Sequence, residues 1–129
     1  MPLVRIDLLE GKTPAYVVQV GQIIYRAMLE TLSVPEYDRF QIITEHASAG
    51  LEFDRDYLGI HRSDDCIFVQ ITLSAGRSVE TKQRFYQAVA DGLHEGVKLR
   101  REDVFVSLVE VHREDWSFGN GEAQYIPKT

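Results

Sequence analysis

Apolar and polar residues alternate at the start of the chain, and apolar residues then recur every three or four positions. Val4, Ile6 and Leu8 alternate with polar neighbours, which predicts a strand with one buried face. The spacing that follows predicts an amphipathic helix, whose apolar positions are Val20, Ile23, Ile24, Ala27 and Met28. The run "RFQIIT" then predicts a second strand. The first third of the chain therefore indicates a β-α-β unit.

The same order of patterns returns in the second half of the chain. The run "IFVQITL" predicts a strand, and "VFVSLVEV" predicts another. Between them, helical spacing connects the apolar residues Phe85, Ala88, Val89 and Leu93. A second β-α-β unit is therefore predicted.

Capping residues indicate where both helices begin. Thr13 followed by Pro14 is typical of a hydroxyl N-cap with proline at the first helical position. Ser78, with Glu80 in the first turn, predicts the start of the second helix. We expect the helices to end near residues 33–35 and near Gly96.

The two units are copies of one another. A shift of 65 positions aligns residues 4–46 with residues 69–111 without a gap and makes nine pairs identical. We interpret residues 1–129 as a single domain with pseudo-repeats 1–46 and 66–111. Residues 47–65 form the linker, and residues 112–129 form an unrepeated C-terminal tail.

A helical crossover makes the two strands of each unit parallel and right-handed. We therefore expect an α/β (α+β) fold in which a four-stranded, mostly parallel sheet carries two helices on one face. Two helices cover only one face of such a sheet, whereas parallel strands normally have both faces covered. The uncovered face predicts a homo-oligomer.

Composition excludes several classes of function. The net charge of −6 and the scattered basic residues argue against a nucleic-acid partner. No apolar run approaches the roughly 20 residues that span a bilayer, and no signal peptide is recognisable. The single cysteine, Cys66, cannot form an internal disulfide, and the four histidines show no metal-ligand spacing with it. We expect a soluble cytoplasmic protein with neither a membrane association nor a metal.

The sequence resembles a known superfamily along its whole length. The start "MP", the doubled unit and the segments "VPEYDRFQIITEH", "RSDDCIFVQITLSAGRSVETKQRFY" and "EDWSFGNGEAQY" carry the resemblance. They are similar to segments of the tautomerase superfamily, whose members resemble 4-oxalocrotonate tautomerase. They are most similar to its malonate semialdehyde decarboxylase-like branch. The resemblance implies a tautomerase/MIF-like fold, a homotrimer with active sites near subunit boundaries, and no metal or organic cofactor.

The resemblance also implies site residues. The family's catalytic proline corresponds to Pro2, its polar acid/base partner to Asp38, and a substrate-binding arginine to Arg77. The decarboxylase branch has a second arginine two residues earlier, where this chain has Ala75. That departure weakens the expectation of decarboxylation but not of proline chemistry.

Pro2 would be a secondary amine only after removal of Met1. An apolar pocket and a nearby cation would lower the pKa of that amine towards neutrality, where a general base works well. With Met1 in place, the nitrogen of Pro2 is an amide and cannot act as a base. The structural alternative is a proline at the free edge of a strand.

Arg77 lies where a helix dipole opposes positive charge, so that a bound anion would be favourable. Together with backbone amides at Gly76 and Ser78, its guanidinium could hold a substrate carboxylate. The repeat offers an alternative, because Lys12 occupies the matching position and a basic residue could be a solvated feature of the turn.

Other candidate residues have two interpretations each. Asp38 could orient water or polarise a carbonyl, but its counterpart Asp103 favours a structural role in the turn before each returning strand. Arg39 could neutralise the neighbouring Asp38 or help to bind anions. Trp116 and Phe118 could form a wall of the substrate pocket or pack in a subunit interface.

The sequence is compatible with three functions. The leading hypothesis is a cofactor-independent enzyme whose N-terminal proline performs keto-enol tautomerisation of a small oxo-carboxylate, most simply a 2-oxo acid. A second is decarboxylation or hydration of a 3-oxo acid such as malonate semialdehyde, with Pro2 acting as an acid. The third is a trimeric binding module without catalysis.

Overall fold

The computed structural model describes residues 2–128, which form an α+β fold with one four-stranded sheet and two helices. Its elements in chain order are β1 (Leu3–Leu9), α1 (Pro14–Thr31), β2 (Gln41–His46), β3 (Ile67–Ser74), α2 (Val79–Val97) and β4 (Val104–Val111). Single 3-10 turns lie at residues 48–50, 57–59, 101–103 and 113–115. Both predicted β-α-β patterns are therefore present.

The sheet is mixed, with the strand order β2-β1-β3-β4. β1 and β2 are parallel, as are β3 and β4, but the central strands β1 and β3 are antiparallel. The prediction of a mostly parallel sheet is thus corrected to a mixed one. A crossover helix makes strands parallel only within its own unit, while the linker leaves the relative direction of the two units open.

The central pairing relates the two units by an approximate two-fold axis. Val4 pairs with Ile71, and Ile6 pairs with Val69, so that equivalent residues of the two units exchange places across the β1–β3 boundary. Such an axis, perpendicular to the sheet, keeps both helices on the same face. It also sends the starts of β1 and β3 to opposite ends of the sheet.

The core lies between the helices and one face of the sheet. Alternate residues of the two central strands are buried, which confirms the period-two pattern. The helices close tightly on each other at Gly92 and Gly96, where an added Cβ would lie 2.8 Å and 2.5 Å from side-chain carbons of Ile23. The buried residues on the facing sides of the helices are Val20, Ile24, Ala27, Met28, Phe85, Val89 and Leu93.

Both predicted helix starts are confirmed. The side chain of Thr13 accepts a hydrogen bond from the backbone N–H of Tyr16, and Pro14 follows as the first helical residue. Ser78 accepts in the same way from Thr81 at the start of α2. Within residues 2–128, neither helix combines the length and the apolar character needed to cross a membrane.

The face of the sheet opposite the helices is open over much of its area. Ile42, Phe105 and Val109 expose about two fifths of their surface there. The linker covers one part, because the ring of Phe53 packs edge-on against Phe68 with a centroid distance of 5.2 Å.

Candidate active site

Four segments of the chain meet at one end of the sheet. β1 and β2 begin there, since they are parallel and Val4 pairs with Gln41. β3 and β4 end there, since β3 runs antiparallel to β1 and Ser74 pairs with Val111. The residue before β1, the segment before β2, the turn after β3 and the C-terminal tail are therefore neighbours, although they are far apart in the sequence.

A pocket of about 260 Å³ opens at this end of the sheet. Pro2 is buried at its wall, immediately before β1. No charged side chain belongs to the lining, and a volume of this size suits a small ligand. The lining residues are Pro2, Leu3, Phe40, Trp116, Ser117 and Phe118.

Aromatic rings of the tail form the outer wall of the pocket. Trp116 and Phe118 stack with their centroids 5.4 Å apart, and Tyr125 meets the ring of Phe118 edge-on at 4.9 Å. The indole Nε1–H of Trp116 donates a hydrogen bond of 3.3 Å to Oγ of Ser74. These contacts attach the tail to the end of β3.

Asp38 belongs to the segment that leads into β2 and precedes the pocket residue Phe40 by two positions. Its side chain is buried, and burial raises the pKa of its carboxyl above the usual value of 3.8. Two residues later, the carbonyl of Phe40 accepts a hydrogen bond of 3.0 Å from the N–H of Val4 and thereby joins the segment to β1. The pKa of Tyr125 is raised by burial and by the negative charge of Asp38, so the tail and this carboxyl influence each other electrostatically.

Asp103, the counterpart of Asp38 in the repeat, has a different environment. It is completely buried and accepts hydrogen bonds from the backbone N–H (2.7 Å) and the hydroxyl (2.6 Å) of Ser63. Arg100 approaches it to 3.6 Å. Ile67 occupies the position that corresponds to Pro2, so the opposite end of the sheet lacks the proline.

Arg77 makes three hydrogen bonds to main-chain carbonyls. Its Nε and Nη2 donate to the carbonyl of Leu32 at 3.2 Å and 3.0 Å, and its Nη1 donates to the carbonyl of Ser74 at 3.1 Å. A guanidinium has five N–H groups, so two remain after these bonds. Arg77 is not part of the pocket lining, but it contacts Ser74, which holds Trp116.

The turn before α2 contacts protein groups. Gly76 adopts a φ of +130°, and its backbone forms a hydrogen bond to the carboxylate of Glu110. Lys82 donates a second bond of 2.9 Å to that carboxylate, and these contacts, Lys82 first, lower the pKa of Glu110. Ser78 serves as the N-cap of α2.

Arg39 extends along α1. Its guanidinium donates two hydrogen bonds to Oε1 of Gln41, at 3.1 Å and 3.3 Å, and lies over the ring of Tyr25 at 5.0 Å. The amide nitrogen of Gln41 in turn donates to the carbonyl of Gly21 in α1. These contacts hold the guanidinium at the flank of the helix.

The structure thus brings three of the candidate residues into one pocket, namely Pro2, Trp116 and Phe118. Residues that the sequence analysis missed are Phe40, Ser74, Ser117 and Tyr125. Phe40 carried a signal, because it is identical to its counterpart Phe105 in the repeat. Within residues 2–128, no group of three or more His, Cys, Asp or Glu side chains is arranged to hold a metal ion.

Comparisons with known proteins agree with this architecture. A family model described as "Tautomerase enzyme" matches residues 38–119. The probable tautomerase YusQ of Bacillus subtilis (strain 168) is 37% identical over 126 residues, which cover 98% of this chain and 99% of that protein. Among solved structures, a malonate semialdehyde decarboxylase with decarboxylase and hydratase activities superposes with a TM-score of 0.88 at 32% identity, covering 95% of each chain. A fused 4-OT wild-type symmetric trimer has the same fold, with a TM-score of 0.78 at 22% identity, covering 95% of this chain and 97% of that chain.

Proposed function

We propose that this chain catalyses keto-enol tautomerisation of a small 2-oxo acid. The chain belongs to the tautomerase family and is a tautomerase-type enzyme. The observation that carries the proposal is the burial of Pro2 in a small pocket with aromatic walls. The reacting group would be the secondary amine that removal of Met1 creates. A lining that is mostly apolar and has no charged side chain would disfavour the protonated amine and so lower its pKa, as a base that works near neutral pH requires.

The proton transfers follow from the chemistry of the 2-oxo acid. The nitrogen of Pro2 takes a proton from the carbon next to the carbonyl, and the electrons of that C–H bond form the new C=C bond. The carbonyl oxygen receives a proton and becomes the enol hydroxyl. Asp38 is the proposed donor, because burial raises its pKa and keeps its carboxyl protonated to a higher pH than usual.

Arg77 is the proposed contact for the substrate carboxylate. Two of its five N–H groups are not used in its bonds to Leu32 and Ser74, and two such groups can hold a carboxylate. The bonds to main-chain carbonyls limit the freedom of the guanidinium before the ligand arrives. Trp116 and Phe118 would contact the remainder of the substrate and exclude water.

Decarboxylation or hydration of a 3-oxo acid is the second candidate. The structural similarity to the malonate semialdehyde decarboxylase supports it. Ala75 argues against it, since it replaces the second arginine that the branch's pattern has at this position. In that reaction Pro2 would act as a protonated acid, so loss of its proton would produce a basic limb in the pH profile.

We further propose that the working form is a homotrimer. The open face of the sheet exposes Ile42, Phe105 and Val109, and burial against other copies would remove this apolar surface from water. A related fold forms a symmetric trimer. Light scattering coupled to size-exclusion chromatography should give a mass three times that of the 14.8 kDa chain.

The decisive experiment compares Pro2→Ala with Pro14→Ala in protein whose loss of Met1 has been checked by intact mass. Substrates are phenylenolpyruvate and malonate semialdehyde, assayed side by side. We expect Pro2→Ala to lose most of the turnover of phenylenolpyruvate, while Pro14→Ala, at the start of α1, retains it. Full activity of Pro2→Ala would reject both reactions. Binding of a 2-oxo acid without turnover by the processed protein would instead favour the binding module.

A further inference from the structure

Ser74 contacts two different parts of the site through two different oxygen atoms. Its side-chain Oγ accepts the hydrogen bond from the indole of Trp116 at 3.3 Å. Its main-chain carbonyl accepts a hydrogen bond from Nη1 of Arg77 at 3.1 Å. One residue at the end of a central strand therefore connects the aromatic wall of the pocket with the arginine beside it.

The side-chain bond holds a segment that regular secondary structure does not hold. Trp116 follows the short 3-10 turn at residues 113–115 and belongs to the irregular tail. Ser74, in contrast, is the last residue of β3 and pairs with Val111 across the sheet. Because Phe118 stacks on Trp116, fixing the indole also fixes the second ring of the wall.

We infer that Ser74 is a positioning residue that sets the distance between the aromatic wall and the carboxylate-binding arginine, and thereby selects substrates by the size of their apolar group. The inference rests on the proposed function for the role of Arg77 at the carboxylate. A 2-oxo acid with an aryl group would contact both ends of this arrangement. Pyruvate, whose apolar part is one methyl group, would depend little on where the indole lies.

Ser74→Ala separates the two contacts, because it removes Oγ and leaves the carbonyl that binds Arg77. We expect KM for phenylpyruvate to rise about three- to tenfold, as is typical for loss of one neutral hydrogen bond. KM for pyruvate, and kcat with its pH profile for both acids, should stay close to the wild-type values. The rate at which deuterium replaces the C3 hydrogens, followed by NMR, gives KM and kcat for both substrates by the same assay.

Two further variants distinguish this role from a general structural one. Ser74→Thr retains a hydroxyl and should restore the wild-type KM for phenylpyruvate. Trp116→Phe removes the N–H donor but retains an aromatic ring, so it should raise KM for phenylpyruvate at least as much as Ser74→Ala does. The double variant Ser74→Ala/Trp116→Phe should then be no worse than Trp116→Phe alone, since both substitutions remove the same bond. Additive losses would overturn the inference.

Fluorescence provides a measurement that does not depend on turnover. Trp116 is the single tryptophan of the chain, so its emission reports on this wall alone. In Ser74→Ala we expect stronger quenching by acrylamide and a three- to tenfold weaker response to phenylpyruvate. If the wild type binds phenylpyruvate without turning it over and Ser74→Ala weakens that binding, the proposed function fails while the positioning role stands. Unchanged quenching, with an unchanged ratio of the two KM values, would contradict the role of Ser74.

Discussion

The guanidinium of Arg77 donates two hydrogen bonds to the carbonyl of Leu32, the residue that caps the C-terminal end of α1. Positive charge is favourable at the C-terminus of a helix, so this contact compensates for the position of Arg77 just before the N-terminus of α2. The loop that carries Asp38 starts directly after Leu32. Arg77 therefore stabilises the start of that loop, whether or not a ligand is bound.

Substitution of Arg77 should consequently reduce stability. Lysine keeps the charge of Arg77 but not the planar set of donors, so Arg77→Lys should lower the free energy of unfolding by about 1–3 kcal/mol. Urea denaturation measures this difference. The matched control is Lys12→Ala at the equivalent turn of the first unit, where an exposed pair with Asp65 should contribute less than about 1 kcal/mol. Wild-type stability of Arg77→Lys would show that these bonds contribute little.

The close approach of the helices depends on Gly96 and one atom of Ile23. A Cβ at position 96 would lie 2.5 Å from Cδ1 of Ile23, the terminal methyl of that side chain. Gly96→Ala should force Ile23 away from its rotamer at a cost of about 0.5–1.5 kcal/mol, which the better helix propensity of alanine partly offsets. Ile23→Val removes Cδ1 and should relieve this clash. It should not relieve Gly92→Ala, whose Cβ would meet Cγ2 of Ile23 at 2.8 Å. Thermal unfolding of the two double variants checks the difference, and equal rescue of both would contradict it.

Asp38 should affect the pH dependence of stability. Because burial raises its pKa in the folded state, the folded protein binds a proton more tightly than the unfolded chain does. Its contribution to stability is therefore present at low pH and is lost as the pH rises from 3.8 through the raised pKa. Asp38→Asn should flatten this part of the profile, while tautomerase activity falls. Urea titrations between pH 4 and pH 8 measure the effect, and an unchanged pH dependence of stability in Asp38→Asn would argue against it.

In contrast to Asp38→Asn, Asp103→Asn should affect stability and not activity. Its carboxylate accepts two hydrogen bonds from Ser63 and is completely buried, so the substitution leaves a poorer acceptor in the same place. We expect a loss of about 1–3 kcal/mol in urea denaturation, with little effect on kcat. Ser63→Ala provides a second measure of the same contact. A selective loss of activity in Asp103→Asn would mean that this end of the sheet takes part in the chemistry.

Two substitutions of Ser78 distinguish its two possible roles, which are capping of α2 and binding of the substrate carboxylate. As the N-cap of α2, its replacement by alanine should cost about 1 kcal/mol of stability, whereas aspartate should maintain the cap. A negative charge at a position that binds a substrate carboxylate would raise KM strongly. Because the neighbouring Arg77 is the proposed contact for the substrate carboxylate, we expect Ser78→Asp to keep stability near the wild-type value but to raise KM for the 2-oxo acid. An unchanged KM in Ser78→Asp would argue against binding of the substrate carboxylate at the start of α2.

Local patterns were sufficient for most of the fold. Helical spacing identified both helices, and the hydroxyls of Thr13 and Ser78 marked their first turns, because capping depends on residues only three positions apart. The alternation at Val4, Ile6 and Leu8 identified the buried face of β1. The parallel pairing inside each unit followed from its crossover helix.

The candidate site could be predicted only in part. Pro2 was identified from the resemblance, and Trp116 and Phe118 were identified from their place in the unrepeated tail. These three residues do share a pocket. The partners of Arg77 and Gly76 could not be read from the sequence, because Leu32 and Glu110 lie more than 30 positions away from them.

The sequence by itself determined the two β-α-β units, their caps and their buried faces, because each of these depends on the period of neighbouring residues. Only the tertiary structure decided that β1 and β3 run antiparallel, and that the tail returns to cover Pro2. A linker of 19 residues, 47–65, fixes neither the direction of the second unit nor the path of the tail. These are set by packing between distant segments, for which the free energy depends on three-dimensional contacts and not on local spacing.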